Sequence, residues 1–177
     1  VAVFCIEEST GFSEVDAILV AGQLDRKPRG SWSVRTRCIY QRPAVIATAP
    51  QLEDGTYFPT LFYLTCPWLV LYINGLESTT AVSEWAEKLA TEPDLRSRMI
   101  ATDARYRAMR ASFAGGTDPT PDVGIAGQRS PLSTKCIHAH VATYLAGLDD
   151  PVGESVVSSM TACCCPSDLC RTYLEDA

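Results

Sequence analysis

Cys136, His138 and His140 stand together in Lys135-Cys136-Ile137-His138-Ala139-His140. Thiolate sulfur and imidazole nitrogen are the usual ligands of structural zinc, four to an ion. Cys136 and His140 are four positions apart, which on a helix places them on one face about a turn from each other. His138 lies about 200° around that helix from Cys136 and can share an ion only at a frayed first turn. Cys66, in Thr65-Cys66-Pro67, begins another expected helix, whose positive end lowers a thiol's pKa. Cys38 falls on an expected strand. Cys38, Cys66, Cys136 and His140, with His138 as the alternative histidine, thus make a candidate Cys₃His zinc set. Ligands from separated segments would tie sheet to helices, as structural zinc does.

The remaining cysteines are Cys5, Cys163, Cys164, Cys165 and Cys170. Eight cysteines admit a disulfide scaffold, a set of buried thiols or a metal site. A chain of 177 residues can build a core without staples, and the adjacent triplet Cys163–Cys165 makes an awkward disulfide framework. No Cys-x-x-Cys knuckle is present. Cys165 and Cys170, with four residues between them, suit a ligand pair without being diagnostic of one.

Two other chemistries compete. Arg26, Lys27, Arg29, Arg35, Arg37 and Arg42 follow one another with no acid between them, in a chain of net charge −6. Arg26, Lys27, Arg29 and Arg35 are candidate anion ligands, with Trp32 and Tyr40 as stacking surfaces and Gly30 as a nearby backbone donor. The plain alternative is a strand edge protected by positive charge. The overall acidity excludes a broad nucleic-acid surface, so a phosphorylated ligand or an acidic protein partner fits better. The second competitor is a thiol enzyme with Cys66 as nucleophile and His138 or His140 as base. No third group, nucleophile elbow or phosphate loop accompanies them, and no catalytic set is assigned.

These residues need elements to hold them. Ser13 precedes Glu14 and Asp16 and caps an expected helix over residues 13–24, stopped by Pro28 and Gly30. Residues 33–40 and 43–48 are rich in β-branched side chains and read as a hairpin. Asp54-Gly55 marks a turn, and residues 58–64 read as a third strand with Pro59 near its start. Pro67 opens a helix that runs to about residue 76, and another covers 81–90. Thr91 caps a charged helix to about residue 113, with Leu95, Met99, Tyr106 and Met109 facing inward. Residues 115–127 form a Gly- and Pro-rich connection, either linker or functional loop. A helix over 135–145 and a short one within 152–162 complete the list. The expected fold is α+β, a small antiparallel sheet of about three strands against four or five helices. Residues 1–12 read as an N-terminal extension, 13–154 as a single α+β domain and 155–177 as a Cys-rich C-terminal segment. The longest apolar stretch, residues 61–76, is interrupted by Thr65, Cys66, Pro67, Asn74 and Gly75 and is no membrane span. No signal peptide is read. The missing initial methionine suggests a processed product or fragment, with an organelle as one destination if a transit segment was removed.

Several segments together resemble the bacterial domain-of-unknown-function family 501. They are Gln23-Leu24-Asp25-Arg26-Lys27-Pro28-Arg29-Gly30, then Arg37-Cys38 with Pro43-Ala44-Val45, then residues 54–67 from Asp54-Gly55-Thr56 to Thr65-Cys66-Pro67. Gly124-Ile125-Ala126-Gly127 follows, and Lys135–His140 leads through Ala146-Gly147 to Asp150-Pro151-Val152-Gly153. The order matches the family over about residues 14–154. Tyr40 stands where the family often carries a second cysteine, and the Cys163–Cys170 region is denser in cysteine than its pattern. The resemblance implies a small intracellular, cytoplasmic protein and brings no activity, substrate or cofactor. The leading expectation is a small globular protein holding structural zinc, with the basic hairpin as an assembly or phosphate module next, and the Cys/His enzyme third.

Overall fold

The β-branched hairpin forms the middle of the sheet. β2 (Trp32–Cys38) pairs antiparallel with β3 (Pro43–Thr48), and β3 with β4 (Phe62–Leu64). The computed structural model describes residues 4–6 and 11–175. Every residue of β3 is buried, as suits a central strand covered on both faces. Val45 and Ala47 enter the main core. Ile46, one step out of phase, instead lines a cavity with Leu24 of α1 (Glu14–Leu24). In β2, Val34 faces Ile46 and Thr36 faces Val45, so Arg35 is an extra residue in a bulge. It donates to the Ala146 carbonyl at 3.1 and 2.9 Å.

The α+β class holds, with a correction to the strand count. A fourth strand, β1 (Phe4–Ile6), pairs with β2 and sets Phe4 opposite Cys38. It lies in the stretch read as an extension, because three residues show no period-two pattern to detect. Only 62–64 of the expected 58–64 strand forms. Just before it, the Leu61 amide donates to the Tyr106 hydroxyl at 2.6 Å.

Seven α-helices lie among the described residues, more than the expected four or five. Ser13 and Asp16 make a reciprocal capping box at the start of α1. α2 (Pro67–Glu77), α3 (Ala81–Thr91) and α4 (Pro93–Phe113) follow β4, then α5 (Ile137–Leu145) and α6 (Pro151–Ser159). The short α7 (Thr172–Glu175) returns to α1, where Tyr173 rests on Gly22 so closely that a Cβ there would meet its ring at 2.5 Å. Asp150 caps α6 by accepting from the Val152 and Gly153 amides at 3.0 and 2.9 Å. A Cβ on Gly153 would collide with the His140 carbonyl and lie 2.6 Å from Tyr144 Cβ, so glycine sets how closely α5 and α6 pack.

Met99 and Tyr106 of α4 are buried in the core, with Leu95 and Met109 packed against it. Arg110 is fully buried beside them. Its guanidinium donates to Asp118 at 2.8 Å, to the Pro59 carbonyl at 2.8 Å, to the Thr120 carbonyl at 2.9 Å and to the Val123 carbonyl. The Gly/Pro-rich connection is therefore wrapped around a buried cation and is not a free linker. Among the described residues no helix is long and apolar enough to cross a membrane.

Candidate metal centre

Cys136 is the residue immediately before α5, and its backbone is extended, with φ −150° and ψ 109°. The angular rule for two residues inside one helix therefore does not apply to it. Its side chain swings back over the first turn, and Sγ lies 3.9 Å from His138 Nδ1. Glu77, the last residue of α2, completes a group. Its Oε1 is 3.2 Å from His138 Nδ1 and accepts from the amides of Ile137 and His138. Glu77 thus caps α5, which Cys136 does not. The ligand atoms of Glu77, Cys136 and His138 all lie within 4.8 Å of one another, and all three residues are half-buried. Burial pushes the Cys136 thiol up, with Glu77 adding to the rise against the pull of the Ala139 and His138 amides.

Thiolate, imidazole and carboxylate are all zinc ligands, and a separation below 4.8 Å needs only small rotations to reach bond lengths of about 2.0–2.3 Å. Cys136 and His138 also line a groove of about 540 Å³ with Thr60, Phe62, Tyr63 and Ala126. Three protein ligands beside a groove leave a fourth position for a further ligand.

Sequence reasoning did not find Glu77. One signal was available. A carboxylate in the last turn of a helix faces the negative end of the dipole, and α2 has no basic residue there to offset it. Such a placement calls for another partner.

The other expected zinc ligands lie elsewhere. His140 is fully buried on the inner face of α5, with Nδ1 2.8 Å from Asp150 Oδ2. Its Nε2 has no hydrogen-bond partner. Cys38 ends β2 and Cys66 precedes α2; both are buried and border one small hollow with Cys170. The expected set is thus divided among three places. At Cys66, burial outweighs the helix end: the thiol is pushed up to about 12 despite the nearby Leu69 and Trp68 amides.

The basic stretch is largely engaged within the fold. Arg37 pairs with Asp16 at 2.7 Å and Arg42 with Asp168 at 2.7 Å. Arg29 reaches Asp54 at 3.3 Å on the surface, and Arg35 holds the end of α5 as described. Arg26, Lys27 and Arg29 are exposed. Arg26 and Arg29 line a cavity of about 350 Å³ with Leu24, Ile46 and Tyr63.

Nothing among curated proteins matches the chain, and nothing among solved structures does. The family described as "Protein of unknown function (DUF501)" matches residues 34–158. That span holds Cys66, Glu77, Cys136, His138 and the His140–Asp150 pair, and ends before Cys163. With most of its length matched by that one family, the chain belongs to DUF501.

Proposed function

We propose that this protein binds zinc through Glu77, Cys136 and His138. The observation that carries the reading is the convergence of three ligand types within 4.8 Å from two separate helices. An ion there fixes the start of α5 against the end of α2, which is the structural role expected of zinc drawn from separated segments. The fourth position faces the groove, so the ion is also open to a small ligand. Elemental analysis of protein prepared without chelator tests the reading. About one zinc per chain is expected at this centre, lost in both Cys136→Ser and His138→Asn. Retention of the native protein's full zinc content by both variants would overturn it.

A second reading, binding of a phosphorylated ligand or an acidic partner, is supported by one feature. Arg26 and Arg29 line the cavity beside Tyr63, with Lys27 on the adjoining surface. A phosphopeptide titration of Arg26→Ala/Arg29→Ala tests it, and binding equal to that of the native protein would sink it.

A further inference from the structure

Six of the eight cysteines border one hollow: Cys38, Cys66, Cys163, Cys164, Cys165 and Cys170. They come from the end of β2, the start of α2 and the C-terminal segment. The space holds about 10 Å³ for a water-sized guest, room for one atom and not for an organic ligand. Four of the six are distinguished by their surroundings. Cys38, Cys66 and Cys170 are buried, and Cys165 is held at the hollow by the Tyr40 hydrogen bond to its carbonyl. Cys163 instead donates to the Val157 carbonyl at 3.4 Å. The hollow's rim is already held. Gln23 Nε2 donates to Cys170 Sγ at 3.3 Å, Tyr40 to the Cys165 carbonyl at 3.2 Å, and Arg42 pairs with Asp168.

We propose that Cys38, Cys66, Cys165 and Cys170 form a second, all-thiolate site for one thiophilic divalent cation of the zinc class, and that its binding clamps the C-terminal segment onto the sheet. Four thiolates in a tetrahedron are an ordinary closed zinc shell. Each thiol gives up its proton to solvent as its sulfur bonds the metal, so the uptake of one ion releases four protons. The ion supplies the drive that a buried thiol lacks on its own, since a coordinating thiol is deprotonated outright. The Gln23 N–H to Cys170 is the outer-shell donor that metal-bound sulfur commonly has. Among the described residues only the Glu77 set is gathered to within 4.8 Å. Binding at the hollow therefore draws its thiols inward and tightens residues 163–170. This site is independent of the Glu77 centre. Cys165 and Cys170 also lie beyond the family-matched residues, whereas Cys38 and Cys66 lie within them.

Cobalt(II) added to reduced protein tests the proposal, with thiolate-to-metal charge transfer as the readout. The background is Cys136→Ser/His138→Asn, which removes the first centre. That background is expected to keep an intense charge-transfer band that saturates at a single equivalent of cobalt. The band is expected to vanish with Cys38→Ser and with Cys165→Ser/Cys170→Ser, and to persist with Cys163→Ser. A background with no band overturns the second site and leaves the first standing. Equal loss on Cys163→Ser overturns the assigned ligands. Alkylation of Cys165 in the otherwise native chain supplies a readout free of folding effects. Zinc is expected to slow it severalfold, and an unchanged rate overturns the clamp.

Discussion

Cys66 and Glu77 mark the two ends of α2. Cys66 stands just before its first residue and Glu77 is its last. Eleven helical residues put about 16 Å between those ends, so no single ion can use a thiol at one and a carboxylate at the other. The fold therefore divides the cysteine and histidine chemistry along a rigid axis. Glu77→Gln keeps an acceptor for the Ile137 amide but weakens the metal ligand. The expected outcome is a lowered zinc affinity with secondary structure unchanged, measured by competition with a chromogenic chelator.

His140 separates metal binding from stability. It is fully buried and paired with Asp150, away from the Glu77 group. His140→Ala is expected to leave zinc content unchanged and to lower stability by about 2–4 kcal/mol, from a cavity and an unpaired buried carboxylate. Urea unfolding with parallel metal analysis measures both. Loss of zinc without loss of stability would count against the division described above.

Asp16 supplies an acid-sensitive element. Burial pushes its carboxyl up, but hydrogen bonds from Arg37 and Ser13 outweigh burial and hold it at about 2, below the ordinary 3.8. A depressed carboxyl stabilises the fold above its unfolded value. That contribution is complete above about pH 4 and is withdrawn as pH falls toward 2. Asp16→Asn is expected to cost about 1–3 kcal/mol at neutral pH and to flatten the acid limb of a stability profile between those pH values.

Arg110 governs the connection after α4. Arg110→Ala removes its hydrogen bonds to Asp118 and to the Pro59, Thr120 and Val123 carbonyls. The expected loss is about 3–5 kcal/mol. Hydrogen exchange is expected to speed first in residues 118–128, because that backbone is what the guanidinium holds.

Cys66 is expected to be inert to alkylation at neutral pH. It is buried with its thiol pushed up to about 12, and only the thiolate attacks. His138 pairs with Glu77 at the far end of α2 and His140 with Asp150, so neither histidine faces it. Mass spectrometry after iodoacetamide is expected to find exposed Cys5 modified well before Cys66. Rapid labelling of Cys66 would revive the reading of it as a nucleophile.

Local signals explain what was legible in the sequence. Ser13 and Asp16 announced the start of α1 and Pro67 that of α2, because a cap acts over three or four residues. Cys136 and His138 were visible as candidates from their residue types. Their shared site was legible only as the alternative of a frayed first turn, since the geometry depends on Cys136 leaving the helix by one residue. Glu77 was hidden for a different reason: its partners lie about sixty residues along the chain, and sequence spacing says nothing of such contacts. The inward turn of Arg110 escaped notice because a charged helix reads as a solvated surface until the loop that buries it is in place. β1 escaped because three residues carry no period.

β2 meets segments near both ends of the described chain, before α7 goes on to pack against α1. Phe4–Ile6 pairs along it, and Cys170 sits beside its last residue, Cys38. The contacts that seal this arrangement, Tyr40 to Cys165 and Arg42 to Asp168, span 125 and 126 positions. Closures of that length come after local structure has formed. During synthesis, the hairpin and α2 leave the ribosome well before residue 170 exists, and chains grow N-terminus first. Until then Cys38 and Cys66 lack the segment that covers them. They stay open to oxidants and metals until the residues that close over them, Cys165 and Asp168 among them, have been made. The closing of the C-terminal segment is in this sense a completion step, after which those thiols are open only to a guest small enough for the hollow.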